Sequence, residues 1–199
     1  MLNIKKENAA TISIKSPIFA RAILLIEGDS PLLSNKNNFV REDEKDKGLV
    51  ERQTPDERYQ SSLYPVPGKK DVYGFPAAAF KGAASEAASG KGWWGAANID
   101  GKRLKGAVQV LGDIIQIDGT LSRRRDVGKI RGVACVIFRG QFSDWKCELP
   151  IKFNESLLSL DSIIAIFNVA GFSIGVGDWR PQKDGNFGMF HVSGIKPIE

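Results

Sequence analysis

A glycine-rich segment near the C-terminus carries the residues with the clearest chemical potential. Glycine permits positive φ and close approach of a backbone, while rings, a planar guanidinium and an ammonium are groups that bind a polyanion with flat bases. The alternative is a structural hairpin loop whose tryptophan packs on its own sheet, because glycine punctuates loops of every kind. The aromatic and cationic residues are Trp179, Arg180, Lys183 and Phe187, and the glycines are Gly175, Gly177, Gly185 and Gly188.

The densest positive charge lies between positions 122 and 131, in a segment that we expect to be a loop. Such a run is often only a solvated face. Neutralisation of nucleic-acid phosphates also uses several cations in one loop, so both interpretations stay open. The cations are Arg123, Arg124, Arg125, Lys129 and Arg131.

An alanine-rich stretch at 77–89 follows a proline and predicts a helix that ends at Gly90, because alanine has the highest helix propensity and proline is tolerated in the first turn. At helical spacing, Lys81 shares one side with Ala77, Ala84 and Ala88. It projects from a surface of small side chains that another backbone could approach closely. An ordinary lysine lying along its helix is the alternative.

Enzymatic signatures are missing. His191 is the only histidine, and it lies in a predicted strand with no catalytic motif around it, which favours a structural role. The sequence contains no phosphate-binding loop of the Walker type, no metal-ligand spacing and no dinucleotide fingerprint. We therefore expect a protein without a cofactor, a bound metal or an enzymatic activity.

Composition sets broad bounds. A chain of 199 residues with 42% hydrophobic content predicts a single domain, and a net charge of +5 permits contact with nucleic acid without requiring it. The two cysteines, Cys135 and Cys147, fall on what we expect to be neighbouring strands and suit buried thiols in a reducing compartment. With no signal peptide or membrane-length apolar run, we expect a soluble, cytoplasmic protein.

The first half of the chain predicts three features. The apolar run 19–28, closed by Gly-Asp-Ser-Pro, predicts a buried first strand. Mixed charge with Asn, Gln, Pro and Gly predicts a mobile insertion at 34–70. After the alanine-rich helix, residues 107–117 predict one strand or two short ones.

In the second half, residues 133–138 are apolar on both faces and predict a central strand, with a turn at 141–144. Alternation from 145 to 153 predicts a one-sided strand whose core face carries Trp145, Cys147, Leu149, Ile151 and Phe153.

Next comes a helix with Ser159 as N-cap, ended by Gly171, then strands at 172–176 and 189–192. The order of strand, insertion, helix, strand, strand, helix and strand is the split βαβ pattern. We predict an α+β, ferredoxin-like or RRM-like antiparallel sheet with two helices on one face. The opposite face stays free, and small RNA-binding domains often hold single strands there.

Three segments also carry a family resemblance: 27–33, which reads Glu-Gly-Asp-Ser-Pro-Leu-Leu, 74–83, a proline turn into the helix with Lys81, and the glycine-rich segment 175–188. In this order they resemble the RAMP superfamily of RRM-like proteins. Within it the chain is most similar to the crRNA-binding backbone subunits of CRISPR effector complexes and to small phage-encoded relatives.

The resemblance implies that Lys81 lies near an RNA backbone with the glycine loop beside it, and that 34–70 takes the place of a finger or thumb. It also implies assembly side by side along the strand, as an oligomer or filament, with effector or phage proteins as partners. The leading hypothesis is a non-catalytic protein that binds single-stranded nucleic acid, RNA in preference to DNA. The alternatives are a phage protein-interaction or assembly component, such as a mimic of an effector subunit, and a metal-independent ribonuclease using His191.

Overall fold

The computed structural model describes residues 16–36, 54–89, 100–130 and 133–197. The strands are β1 Phe19–Gly28, β2 Leu32–Ser34, β3 Tyr64–Pro65, β4 Tyr73–Pro76, β5 Val108–Val110, β6 Ile114–Gln116, β7 Asp118–Ile130, β8 Val133–Asn154 and β9 Phe190–Pro197. The helices are α1 Pro55–Ser61, α2 Ala77–Ser89, α3 Gly101–Ala107 and α4 Leu160–Val169, with a π-helical segment Ala170–Ile174 and a 3-10 turn Pro181–Lys183.

The main sheet has the strand order of a split βαβ fold. β1 lies between β8 and β9 and pairs antiparallel with both. On its other side β8 pairs antiparallel with β5 and β7, and β2 joins near the middle of β8. The spatial order β9, β1, β8, β7 corresponds to the fourth, first, third and second strands of the pattern, so the predicted α+β, ferredoxin-like fold is confirmed. β3, β4 and β6 form a second, small sheet.

Alternate residues of β8 point to the inner face of the sheet, where they form much of the core. All five residues predicted on its inner face are at most 3% exposed, and Leu24 and Ile26 of β1 pack beside them. α2 and α4 cover this face, with Phe80 and Ile163 completely buried. The rings of Phe80 and Phe190 meet edge to face at 5.7 Å and join α2 to β9. Ser159 caps α4 as predicted, because its Oγ accepts a hydrogen bond from the Ser162 amide at 3.2 Å.

The predicted turn at 141–144 is wrong. β8 runs through these residues, and Phe142, which is 2% exposed, has Leu32 on one side and Leu121 on the other. The chain reverses between β7 and β8 instead. The predicted central strand 133–138 pairs with β7 alone in the described part of the chain, and therefore forms one arm of a two-stranded ribbon.

The predicted strand at 172–176 is also wrong, and Gly171 does not end the preceding helix. α4 continues through the π-helical segment to Ile174. A Cβ at Gly171 would lie 1.7 Å from the carbonyl oxygen of Phe190, so glycine is required there for the helix to pack closely on β9. An apolar run of this length suits a buried helix as well as a strand, which is why its type was misread.

The predicted insertion 34–70 is partly regular structure. Ser34 ends β2, and residues 54–70 contain α1, β3 and a turn. Thr54 and Glu57 form a reciprocal capping box at the start of α1. Residues 37–53 lie outside the described part of the chain. The predicted segment 107–117 does form two short strands, β5 and β6.

The two cysteines lie on the same strand rather than on neighbours. Residue 135 pairs with Gly128 and Cys147 pairs with Ile26, both through β8. Twelve residues of extended chain span about 40 Å, so a bond between these two thiols within one chain is excluded. Among the described residues, no helix has the length and apolar character needed to cross a membrane.

Burial predicts an unreactive thiol at Cys147. Burial raises its pKa to about 12. In a Cys135→Ser variant we expect almost no reaction with a thiol reagent near pH 8 in the native state and complete reaction after denaturation. The free energy of unfolding should fall as the pH rises above about 9, because the thiol ionises more easily in the unfolded chain. Rapid labelling of the native variant would contradict the position of Cys147 in the core.

Candidate nucleic-acid interface

The glycine loop, residues 175–188, has a defined backbone conformation. Gly175, Gly177 and Gly188 have φ values of 67°, 85° and 67°. At Gly188 a Cβ would lie 1.7 Å from the carbonyl oxygen of Val176, whose amide in turn donates to the Gly188 carbonyl at 2.9 Å. Close contact between the two ends of the loop therefore requires glycine at position 188. Gly185 lies equally close to the backbone of Trp179.

Hydrogen bonds fasten the loop to the segment after β1. The Gly188 amide donates to the Pro31 carbonyl at 2.8 Å, and the Asp178 amide donates to the Leu33 carbonyl at 3.1 Å. The Met189 amide donates to Ser30 Oγ at 3.0 Å. Two of the segments that carry the family resemblance, 27–33 and 175–188, are therefore one packed unit.

Trp179 presents its ring from the middle of this loop. Its backbone is left-handed, with φ of 50°, and its side chain is 39% exposed. The Phe187 ring lies 6.2 Å away at an angle of 49°, and the Phe187 amide donates to the Trp179 carbonyl at 3.1 Å. The loop backbone therefore holds the ring at the surface of the protein rather than in the core.

Two guanidinium groups from the β7–β8 ribbon lie against these rings. The Arg124 guanidinium is 4.7 Å from the Phe187 ring centre, and the Arg139 guanidinium is 4.9 Å from the Trp179 ring centre. Arg124 and Arg139 pair in register on neighbouring strands. We call Arg124, Arg139, Trp179 and Phe187 the arginine–aromatic cluster.

Two carboxylates balance the charge of this cluster. Asp126 accepts from Arg124 Nε at 2.9 Å and lies 3.3 Å from Arg139 Nε. The Asp178 carboxylate accepts a hydrogen bond from Arg139 at 2.9 Å and another from the side-chain amide of Asn35 at 2.8 Å. Arg139 is 1% exposed. Sequence reasoning missed it because it follows an apolar run; a lone arginine in that setting is the signal that would have pointed to a buried ion pair.

The arginine run is a strand rather than a loop, and its period of two divides the cations. Arg124 faces the loop, whereas Arg123 and Arg125 point to the other face. Arg123 pairs with Asp56 of α1 and lies over the Phe138 ring at 5.9 Å. Arg125 is exposed and has no partner among the described residues. The three arginines therefore do not form one cationic surface.

The remaining predicted cations are scattered. Lys81 donates to Gln109 of β5 rather than facing the glycine loop. Lys183 is exposed on the 3-10 turn of the loop. Arg180 donates to the Gly177 carbonyl at 3.1 Å and to Gln182 at 3.0 Å. The Lys129 side chain and Arg131 lie outside the described part of the chain.

A groove of about 410 Å³ lies between α2 and the glycine loop. All three segments of the resemblance line it, through Leu33, through Phe75 and Ala79, and through residues 175–178. The glycine loop does lie beside α2, as the resemblance implies, but the residues of α2 that face it are small ones and Glu86. Asp178 belongs to both the groove and the ion-pair network, which places the arginine–aromatic cluster at one edge of the groove.

Tyr64 forms an aromatic wall of the groove. Its ring packs edge to face on Phe75 at 5.5 Å, and the Lys36 ammonium lies 6.0 Å from its ring centre. Burial, and secondly the Asp178 carboxylate, raises the pKa of the Tyr64 hydroxyl, so it stays neutral and able to donate a hydrogen bond.

Among the described residues, the open face of the sheet carries a phenylalanine, tyrosine or tryptophan ring only at one end, at the start of β1. Near its centre β1 presents Ile23 and Leu25, and β8 presents Lys146, Glu148 and Pro150. Phe19, at the start of β1, lies under the Lys152 ammonium at 5.1 Å. Because base stacking needs a ring in the binding surface, this face is a poorer platform than the loop.

His191 lies apart from the groove. It is on β9, opposite Glu27 of β1, and its Nδ1 is 2.7 Å from an Asp29 carboxylate oxygen. The side chain is 46% exposed and does not line the groove. His191 is therefore an exposed residue that is paired with one carboxylate, away from the groove.

Comparisons with known proteins find similarity to solved structures in the path of the chain. No protein-family model matches the sequence, and no curated protein matches it. A chain in the cryo-EM structure of the Type III-B Cmr-beta bound to cognate target RNA is similar, with a TM-score of 0.48 and 11% sequence identity. The alignment covers 91% of this chain and 61% of that chain. A similarity of this size transfers neither a residue role nor a function.

Gly188→Ala tests whether the loop depends on its backbone geometry. We expect a loss of at least about 2 kcal/mol in the free energy of unfolding, because the new Cβ meets a carbonyl oxygen and the residue keeps a positive φ. Gly82→Ala is the matched control: it lies in α2 with open space around the new Cβ, and should change stability by less than about 1 kcal/mol, in the stabilising direction. Equal effects in denaturant titrations would contradict the loop geometry.

Proposed function

We propose that the protein binds single-stranded nucleic acid, RNA in preference to DNA, over the glycine loop and does not cut it. The observation that carries the proposal is the Trp179 ring, which is exposed, fixed by a left-handed backbone and placed beside a groove. A ring presented in this way can stack on a base of any sequence.

The charge pattern supports a stacking mechanism with modest electrostatics. Within the cluster, Arg124 and Arg139 are balanced by Asp126 and Asp178. The cations near the loop that remain for phosphates are Lys36, Arg180 and Lys183. With a slope of about 0.7 per neutralised phosphate, three cations limit the salt dependence of log affinity to a slope of about 2.

We further propose a RAMP-type mode, in which copies assemble side by side along the strand and work with effector or phage proteins. The convergence of the segments 27–33, 74–83 and 175–188 on one groove supports this. A well-formed groove with a few convergent polar groups is the default candidate for a binding site.

A protein-interaction or assembly role is the second candidate function. The charge balance of the cluster and the exposed apolar side chains of Val127 and Phe172, each 69% exposed, favour it. The absorbance ratio at 260 and 280 nm of the purified protein separates the two. Co-purifying nucleic acid supports the first proposal, and a ratio typical of bare protein supports the second.

Trp179→Ala should weaken binding of a short single-stranded RNA by about 5-fold to 150-fold, because stacking contributes roughly 1 to 3 kcal/mol per base. Fluorescence anisotropy at several salt concentrations measures this. Phe172→Ala is the matched control, since it removes an exposed ring outside the loop and should leave the affinity unchanged. An affinity independent of salt, or equal effects of the two variants, would contradict the mechanism.

End-labelled RNA should stay intact when incubated with the protein in the presence of a chelator, and His191→Ala should behave in the same way. The reason is that His191 is paired with Asp29 and lies outside the groove. Cleavage by the unaltered protein that is lost in the variant would establish the ribonuclease alternative instead.

A further inference from the structure

We propose that the groove beside the glycine loop receives one unstacked base of the bound strand and that it selects guanine. This inference rests on the proposed function and assigns a specificity to it. The arginine–aromatic cluster supplies stacking surface and charge, whereas the groove supplies an acceptor and a donor that can read a base edge.

The dimensions of the groove suit one nucleotide. Its volume of about 410 Å³ falls in the range of sites for small ligands. Leu33, Phe75 and Val176, all at most 6% exposed, give it an apolar lining, and Tyr64 adds a ring. On the α2 side, Gly82 has no atom within 4 Å of a notional Cβ, which leaves room for a flat group to enter.

The polar rim of the groove carries a hydrogen-bond acceptor and a hydrogen-bond donor. Glu86 lines the groove, is exposed, and has no hydrogen-bond or ion-pair partner in the part of the chain that the structure describes. Gln182 also lines the groove, and its carbonyl oxygen accepts from Arg180 at 3.0 Å, which leaves its amide N–H groups to donate. The rim thus offers a carboxylate acceptor and an amide donor.

Guanine fits this pair better than the other bases. Its pairing edge carries two adjacent donors, N1–H and the N2 amino group, next to the O6 acceptor. A carboxylate can accept from both donors at once while an amide N–H donates to O6. Adenine and cytosine present an acceptor lone pair where guanine presents the N1 donor, so each would place that lone pair against the carboxylate. Uracil presents one donor, N3–H, between two carbonyl oxygens, so it gives the carboxylate one hydrogen bond where guanine gives two.

The test uses uridine-only RNA of about ten nucleotides and the same strand with one central guanosine, adenosine, cytidine or inosine. We expect guanosine to increase the affinity about tenfold, and inosine, which lacks the N2 amino group, to lose most of that gain. Glu86→Gln should remove the guanosine preference. Glu155→Gln, the same charge change at an exposed residue in the turn after β8, should retain it.

The outcomes separate the two proposals. Equal, salt-dependent binding of all strands overturns guanine selection and leaves the proposed function intact, as does a guanosine preference that persists in Glu86→Gln. If no strand binds at low salt, both the proposed function and the selection of guanine within a strand are overturned. Binding of free guanosine monophosphate alone, lost in Glu86→Gln, would show instead a site for a free nucleotide.

Discussion

The buried guanidinium of Arg139 is the interaction on which the site depends. At 1% exposure, an unpaired charge would cost several kcal/mol, and two carboxylates pair with Arg139 here. Asp126 comes from β7 of the ribbon and Asp178 from the glycine loop, while Asn35 holds Asp178 from the end of β2. The Arg139 guanidinium thereby links the β7–β8 ribbon, the glycine loop and the main sheet. The position of the Trp179 ring, stacked on that same guanidinium, follows from this arrangement.

The same network limits what the cations can do. A run of three arginines suggests a strong phosphate-binding surface, yet the strand period sends Arg123 and Arg125 to one face and Arg124 to the other. Arg124 forms an ion pair with Asp126, and Arg123 forms one with Asp56. The site that remains combines one exposed ring, a few separate cations and a groove with polar groups. Such a site favours stacking and base contacts over nonspecific attraction to phosphate.

Local sequence patterns correctly predicted those strands and helices whose residues follow a clear pattern within a short stretch of sequence. The alternation from Trp145 to Phe153, the apolar run of β1 and the alanine-rich α2 all appear where expected, because burial on one face fixes the period. The region 141–144 was misread because Gln, Ser and Asp favour turns, whereas Phe142 is held in the core by two neighbouring strands. The candidate site could not be predicted from local patterns, because it depends on contacts between residues far apart in sequence. Arg139 and Asp178 are 39 positions apart, and no periodicity links them.

Nuclear magnetic resonance of the tryptophan indole N–H groups tests the central claim most directly. In Trp145 this group is buried and donates to the Ser30 carbonyl at 2.8 Å, whereas the Trp179 ring is at the surface of the loop. On titration with a short single-stranded RNA, the Trp179 resonance should shift until the protein is saturated, and the Trp145 resonance should stay in place. An unchanged Trp179 resonance while RNA binds would contradict the account.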